Sequence, residues 1–127
     1  MDNKKYQMGA IWRIPDEKIK FPNNLFRTYH NERVVVVIEH SNFNFDKKED
    51  VILIAPLSSQ TLQHHCLDIL IKPDEINRLK KESYIRMRAI QFIPKSLCNK
   101  YIGKMTDNIK CDILATLNLY INNGQVN

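Results

Sequence analysis

The segment from Glu32 to Gln60, ERVVVVIEHSNFNFDKKEDVILIAPLSSQ, organises the predicted fold. It holds two apolar runs, 33–38 and 51–57, separated by a polar connection rich in Asn, Asp and Lys. Short β-branched runs of this length are typical of buried strands, because branched side chains fit a pleated, packed surface. Arg33 opens the first run, and Ser58-Ser59 follows the second. If the two strands are neighbours, a cation and two hydroxyl groups share one rim of a sheet.

The length of the chain predicts a single domain over residues 1–127, since 127 residues are enough for one core. No apolar run approaches the length of a membrane span, and no apolar segment follows the basic N-terminus as in a signal peptide. The three cysteines are odd in number and widely spaced. With no export signal, this usage predicts reduced thiols in a cytoplasmic protein.

Positive charge is concentrated in the C-terminal half. The formal net charge is +5; residues 72–110 contain ten Lys and Arg against four Asp and Glu, and the rest of the chain contains nine against ten. A basic face attracts polyanions, among which nucleic acid is the commonest in the cytosol. The alternative interpretation is a solvated surface that keeps the protein soluble.

The remaining pattern predicts a mainly β fold with a C-terminal helix and five or six strands. Further strands are expected at 9–14, at 67–71 and, as one long strand with a bend near Ile90, at 83–93. Alternation in the long strand places Ile85, Met87 and Ala89 on one side and Arg86 and Arg88 on the other. One helical turn is expected at 74–79 and another at 94–97, and 102–105 is a short strand or turn.

An amphipathic helix is predicted from about Asn108 to Asn122, because apolar residues recur there at steps of three and four. Either Thr106 or Asp107 can cap it, since each side chain has an oxygen that accepts a backbone N–H. The residues that form the apolar stripe are Ile109, Ile113, Leu117, Tyr120 and Ile121.

The long connection from Pro15 to Asn31 has no clear periodicity, which is typical of functional loops. It carries Arg27, Tyr29 and His30. Aromatic side chains such as Phe26, Tyr29 and Trp12 can stack on unpaired bases or can belong to the core.

Two chemical readings of Arg33 remain open from the residues alone. A guanidinium at the mouth of a strand can hold a phosphate with paired hydrogen bonds, or it can form a salt bridge with Glu32 or another acid, which is the more common case. The hydroxyls of Ser58-Ser59 can bind a phosphate or ribose, or can simply close a turn. Adjacent His64-His65 rings would point to opposite faces of a strand, so no metal site and no cofactor are predicted.

The order of these segments resembles the PemK/MazF family of bacterial toxins from toxin–antitoxin systems. The resemblance covers most of the chain. Val34 stands where the family usually has Pro, and Ser58 stands where it has Thr. The segments that carry it are Gly9-Ala10-Ile11-Trp12, Glu32 to Ile38, Ile54 to Ser59, Ser83-Tyr84-Ile85 with Ile93 to Leu97, and Ile102-Gly103-Lys104-Met105.

The resemblance implies a small SH3-like β-barrel, a homodimer, and an endoribonuclease that needs no metal and cuts single-stranded RNA. In the family, the 2′-hydroxyl attacks the adjacent phosphate and leaves a 2′,3′-cyclic phosphate. The family's essential Arg corresponds to Arg33 and its Thr to Ser58, which are therefore the candidate catalytic residues. The candidate RNA contacts are Arg27, Tyr29, Ser59, Gln60, Arg86 and Arg88.

The chain departs from the family pattern in two regions that help to choose RNA bases. The loop before Arg33 lacks the usual Ser-Glu-x-Gly, and Arg88-Ala89 stands where Glu-Gln or Asp-Gln is common. The expected partners are single-stranded RNA and an acidic antitoxin that folds as it binds; no membrane partner is expected. The alternative functions are a non-catalytic module that binds RNA or protein on the same barrel, and a gyrase-poisoning toxin.

Overall fold

The computed structural model describes residues 6–21, 30–39, 50–60 and 64–122. These residues form a seven-stranded sheet and one C-terminal helix, α1 (Asp107–Asn122). Short 3₁₀ turns span Asp16–Lys18, Met87–Ala89 and Lys95–Leu97. The strands are β1 (Ala10–Pro15), β2 (Glu32–Val37), β3 (Val51–Ser58), β4 (Ile69–Ile71), β5 (Ser83–Ile85), β6 (Gln91–Pro94) and β7 (Lys100–Lys104).

Strand β3 is the centre of the sheet. The strand order is β4-β5-β3-β2-β1-β7, every pairing is antiparallel, and β6 pairs with β3 outside this path. One edge of β3 is therefore shared, with β6 along its first half and β5 at its end. The sheet curls into a half-barrel beside α1. The predicted fold class, mainly β in a small barrel with a C-terminal helix, is confirmed.

The prediction of one long strand over 83–93 is wrong, and so is the count of five or six strands. The 3₁₀ turn at Met87–Ala89 divides this segment into β5 and β6. Met87 packs into one apolar cluster and Ile93 into another, on the opposite face of the sheet. A continuous strand would hold both odd-numbered side chains on one face, so the chain must turn between them. The bend predicted near Ile90 corresponds to this break in the strand.

Both faces of the sheet are buried, which explains the four consecutive valines of β2. Val36 belongs to a first cluster, and Val35 and Val37 belong to a second. Strands covered on both sides consist of continuous apolar runs instead of alternating ones. The first cluster is built on Ile11, Val36, Ile38, Ala55, Leu57, Ile71, Ile85, Met87, Met105 and Ile113, and the second on Ala10, Trp12, Ile14, Ile19, Val35, Val37, Ile52, Ile54 and Ile93.

The predicted C-terminal helix is confirmed. Its cap is Thr106, whose Oγ1 accepts a hydrogen bond from the Ile109 backbone N–H at 3.5 Å. Ile113 is fully buried in the first cluster, with Ile109 and Leu117 packed against it. The predicted stripe is buried only in part, because Tyr120 and Ile121 are 46% and 71% exposed. Tyr120 lies on the same stripe as Ile113, so the sheet covers only the earlier turns of the helix.

Candidate functional site

Arg33 lies near the start of β2 and Ser58 at the end of β3, and these two strands pair in the sheet. The β2–β3 ladder pairs Val37 with Ile54 and Val35 with Pro56. The ladder ends at Val35 and Pro56; the same register extended by two residues on each strand would set Arg33 opposite Ser58. Directly opposed residues of antiparallel strands project from the same face. Tyr84 of β5 is paired with Ser58 on the other side. We call this line of three side chains the Arg33–Ser58–Tyr84 row.

Arg33 forms a buried ion pair with Asp16, a residue that the sequence did not single out. Its Nε donates to Asp16 Oδ1 at 2.9 Å and its Nη2 donates to Oδ2 at 3.1 Å. Arg33 is 6% exposed and Asp16 is fully buried. Asp16 Oδ2 also accepts the His30 backbone N–H at 2.8 Å. The bidentate geometry fixes the plane of the guanidinium and balances its charge. The salt-bridge interpretation of Arg33 is confirmed, with Asp16 as the acid.

The same guanidinium also reaches the end of β3. Nη1 of Arg33 donates to the Leu57 carbonyl oxygen at 3.3 Å, and the Phe21 ring lies 5.2 Å from the guanidinium carbon. Leu57 immediately precedes Ser58 in the chain. The contact therefore joins the Arg33 side chain to the strand end that carries the candidate hydroxyl.

The predicted site residues become exposed where β3 ends. Ser58 is half-buried, and its Oγ accepts the Gln60 backbone N–H at 3.2 Å. This bond is the local turn that a Ser at a strand end commonly forms. Ser59 and Gln60 are exposed. The hydroxyl of Ser58 thus has a fixed position beside solvent, where a ligand can approach it.

Arg86, a predicted RNA contact, holds the loop after β3 in place. Its Nη1 lies 2.7 Å from Asp68 Oδ2, and its Nη2 donates to the Gln60 carbonyl oxygen. The Tyr84 ring lies between two neighbours, with the His64 ring stacked on it at 4.5 Å and the Arg86 guanidinium carbon 5.4 Å from its centroid. The Arg86 charge is therefore balanced by Asp68, and Tyr84 is the aromatic of the site that the sequence did not single out.

Of the other predicted contacts, Arg88 lies within the described residues. Arg88 is exposed on the 3₁₀ turn between β5 and β6. Arg27 and Tyr29 lie outside the described residues, as does Phe26. Trp12, the third aromatic considered for base stacking, is buried between Tyr6 and Tyr101, with ring centroids at 5.1 and 5.5 Å. Trp12 is therefore a core residue.

A cavity of about 310 Å³ opens between β2, the end of β3 and the segment before β5. Its apolar lining comes from Val34, Leu57, Leu79 and Ile102, and Ser59 and Ser83 add hydroxyls. Of the two candidate serines, Ser59 lines this cavity and Ser58 does not. The cations in its lining are Arg13, Arg33, Arg78, Lys80 and Lys81, and the one carboxylate among the described lining residues is Glu32.

Three of these cations, Arg78, Lys80 and Lys81, belong to the basic excess already visible in the sequence, but nothing in the local pattern indicated a cavity.

Within the described ranges, no group of three His, Cys, Asp or Glu side chains is arranged to hold a metal ion. No helix in the described part of the chain is long and apolar enough to cross a membrane.

The chain belongs to the family described as the PemK-like, MazF-like toxin of type II toxin–antitoxin systems, which it matches over residues 18–121. The match covers most of the chain and includes both ends of the Arg33–Ser58–Tyr84 row. No curated protein matches the sequence significantly.

Solved structures with this fold include members from two bacterial groups. The MazE–MazF complex of Deinococcus radiodurans has a TM-score of 0.64 at 8% identity, and the alignment covers 91% of this chain and 93% of that one. The Mycobacterium tuberculosis toxin MazF-mt6 has a TM-score of 0.65 at 14% identity, with 86% and 92% covered. A mycobacterial endoribonuclease in complex with its cognate antitoxin has a TM-score of 0.61 at 12% identity, with 88% of each chain covered. At these identities the likeness concerns the fold.

Proposed function

We propose that this protein is the toxin of a toxin–antitoxin pair and cleaves single-stranded mRNA in the cytoplasm without a metal ion. In this reaction the ribose 2′-oxygen forms a bond to the adjacent phosphorus and the bond from phosphorus to the 5′-oxygen breaks. The products are a 2′,3′-cyclic phosphate and a 5′-hydroxyl, and the proton lost by the 2′-hydroxyl is balanced by the one gained at the 5′-oxygen. Family membership supports the reaction class.

The observation that supports the proposal is the hydrogen bond from Arg33 Nη1 to the Leu57 carbonyl oxygen, which joins the guanidinium to the residue before Ser58. A fixed guanidinium can stabilise the negative charge that grows on the non-bridging phosphate oxygens. The Ser58 hydroxyl can donate to one of those oxygens. Asp16 keeps the guanidinium in one orientation, so little reorganisation is needed when the charge develops.

The test is cleavage of a long single-stranded RNA in EDTA, with the new ends mapped and their chemistry determined. We expect Ser58→Ala to lower the cleavage rate by about 10²- to 10³-fold, the usual effect of removing one donor to a developing oxyanion. Ser58→Thr should restore the rate, because it keeps the hydroxyl. The matched control is Ser96→Ala at an exposed serine outside the site. Equal rates for the wild type and Ser58→Ala would remove Ser58 from the reaction.

A second candidate function, a non-catalytic RNA-binding module, is favoured by the Arg33–Asp16 ion pair. A cation whose charge is balanced inside the protein gains less from a bound phosphate than an unbalanced one. The same RNA assay separates the two functions, since binding without new RNA ends would support the module. Growth arrest with intact RNA would instead point to a protein target such as gyrase.

The proposed partners are an antitoxin and a second copy of the chain. The Deinococcus and mycobacterial complexes contain an antitoxin bound to a protein of this fold, which supports the first. Co-expression with the neighbouring reading frame should relieve toxicity, and light scattering of the purified protein should give twice the mass of the 15.0 kDa chain. A monomer mass at micromolar concentration would contradict the homodimer.

A further inference from the structure

The two arginines that hydrogen-bond to Leu57 and Gln60, on either side of Ser58 in the sequence, have their charge balanced within the protein. Arg33 is paired with Asp16 and Arg86 with Asp68. Binding of a polyanion depends chiefly on cations that release counterions when they meet a phosphate. Another source of positive charge is therefore needed near Arg33, the one member of the Arg33–Ser58–Tyr84 row that lines the cavity.

The segment Arg78–Lys81 supplies that charge to the cavity of about 310 Å³. Arg78, Lys80 and Lys81 are exposed and line it, and among the described residues none of the three forms an ion pair. Leu79 lies between them and contributes apolar surface to the same cavity. Glu32, on the opposite side, is the only carboxylate among the described lining residues.

The turn before this segment is rigid. Asn77 is 2% exposed, and its Oδ1 accepts the backbone N–H groups of Asp74 at 3.0 Å and Leu79 at 2.9 Å. Its Nδ2 donates to the Lys72 carbonyl oxygen at 2.9 Å. Asp74 Oδ1 in turn accepts the backbone N–H of Asn77 at 2.6 Å. This network holds the backbone that carries Arg78 and Lys80 in one position before any ligand arrives, which lowers the ordering cost of binding.

Arg78 itself occupies a backbone conformation that an arginine rarely adopts. Its φ is 56°, and no other non-glycine residue in the described ranges has a positive φ. Gly or Asn would be more stable at such a position. Strain of this kind is commonly retained where a side chain has a task.

We propose that this cavity is a nucleotide subsite for single-stranded RNA next to the scissile phosphate, with Arg78, Lys80 and Lys81 holding a flanking phosphate and Leu79 contacting the ribose or base. This proposal rests on the proposed nuclease function. The cavity lies at the lower end of the size range of small-ligand sites, roughly 300 to 1,000 Å³, which suits one nucleotide. An apolar floor with a cationic rim matches a base or sugar joined to a phosphate.

The test measures the affinity of the full chain for a fluorescein-labelled 2′-O-methyl RNA dodecamer, which lacks the attacking hydroxyl and cannot be cut. We expect the triple variant Arg78→Gln, Lys80→Gln, Lys81→Gln to bind about ten- to a hundredfold more weakly at 0.1 M salt. The slope of log K against log salt should fall in magnitude by about 0.7, the contribution of one phosphate contact on a single strand.

The matched control removes three exposed lysines that do not line the cavity: Lys18→Gln, Lys20→Gln, Lys104→Gln. This control variant should bind within about threefold of the wild type.

A separate variant, Arg78→Gly, relieves the strained backbone and also removes one charge. We expect its Tm to rise by about 2 to 4 °C while its affinity for the RNA falls. A fall in Tm would show that the Arg78 side chain supports the fold and would overturn its assignment to RNA.

The remaining outcomes separate the subsite from the nuclease function. If the wild type cuts unmodified RNA but the cavity triple variant binds the dodecamer as tightly as the wild type, the subsite is wrong and the nuclease function stands. If both triple variants lose affinity for the dodecamer equally, the loss reflects only the general electrostatic attraction between a basic protein and RNA, which also overturns the subsite. Loss of affinity for a Glu-rich peptide but not for the RNA would assign the cavity to an acidic protein segment. If the wild type neither binds nor cuts RNA, the nuclease function fails and the subsite with it.

Discussion

The buried carboxylate of Asp16 decides how the Arg33 side chain is interpreted. Alone, Arg33 at the mouth of a strand is compatible with a phosphate ligand or a salt bridge; the structure contains the salt bridge, at 2.9 Å, within a buried site. A carboxylate that holds the Nε and Nη2 edge of the guanidinium limits the directions in which Arg33 can meet a substrate. The pair therefore contributes to stability and to the geometry of the proposed catalytic site at once.

Replacement of Asp16 by Asn should destabilise the fold. The amide keeps the shape of the side chain but leaves the Arg33 charge buried without a balancing charge, a situation that typically costs about 3 to 5 kcal/mol. Urea denaturation gives the free energy of unfolding. The control is Glu32→Gln, an exposed carboxylate next to Arg33, which should change that free energy by no more than about 0.5 kcal/mol. A loss below about 1 kcal/mol for Asp16→Asn would show that solvent screens the pair.

Cys98 should be the slowest of the three free cysteines to be alkylated. Burial raises the pKa of its thiol to about 11, with Lys95 acting in the opposite direction. Cys66 and Cys111 are exposed. Below its pKa the thiolate fraction rises tenfold per pH unit, so the alkylation rate of Cys98 should rise about a hundredfold from pH 8 to pH 10. Peptide mass spectrometry after iodoacetamide treatment measures this, and equal labelling of all three at pH 8 would contradict it.

The same shift has a consequence for stability. Because the folded protein favours the neutral thiol, the contribution of Cys98 is fully present below the ordinary thiol pKa of 9.0 and is lost as the pH rises towards 11. Cys98→Ser, compared with the wild type between pH 8 and pH 11, should reduce this alkaline loss.

At the scale of elements, the turn before β5 depends on a close approach to β7. A Cβ atom on Gly103 would lie 2.6 Å from the Ile76 carbonyl oxygen and 2.8 Å from that of Asn77. The Lys104 backbone N–H donates to the same Ile76 oxygen at 3.3 Å. Only glycine allows the turn and the strand to meet at this distance, so the position of Arg78 and the lysines after it depends on a residue in another element.

Gly103→Ala should therefore destabilise the protein by about 1 to 3 kcal/mol, the usual cost of forcing an extra carbon into a packed site. The atoms that it would meet are backbone, which cannot rotate away. Lys104→Ala, at the exposed neighbouring position, is the control and should be close to neutral. Thermal unfolding followed by circular dichroism compares the two variants, and equal Tm values would mean that the turn moves aside without cost.

At the scale of the whole molecule, one sheet carries two apolar clusters on its opposite faces. β1, β2 and β3 contribute side chains to both, so neither cluster can loosen without affecting the strands that support the other. We expect a single cooperative unfolding transition, as is usual for domains of this size.

The single tryptophan makes this testable, because Trp12 reports on the second cluster only. Ile85→Val in the first cluster and Ile52→Val in the second should each cost about 0.5 to 1.5 kcal/mol. In both variants, Trp12 fluorescence and the circular dichroism of α1 should shift to the same denaturant midpoint. A Trp12 transition that stays at its wild-type midpoint in Ile85→Val would indicate two separately unfolding halves.

Local pattern was sufficient to predict the central strands, the C-terminal helix and a mainly β fold, and the resemblance to the PemK/MazF family implied the small barrel. The run of valines in β2 and the three- and four-residue apolar steps in α1 indicate burial, because the spacing of apolar residues follows from which faces of an element are covered. The order of weak motifs then placed Arg33 and Ser58 in a known family. The continuous strand over 83–93 was the main error, since a local pattern cannot show that Met87 and Ile93 are buried in different clusters.

The relations between distant residues followed only from folding. Asp16 and Arg33 are 17 positions apart, and the segment between them has no periodicity that would bring them together. The turn that precedes Arg78 can lie against β7 because Gly103 has no Cβ atom. Such contacts depend on strand register and on close packing between elements, which a linear pattern does not encode. The sequence thus predicts which residues enter the core and which strands carry the candidate residues, and the packed sheet establishes that Arg33 and Arg86 are paired with Asp16 and Asp68.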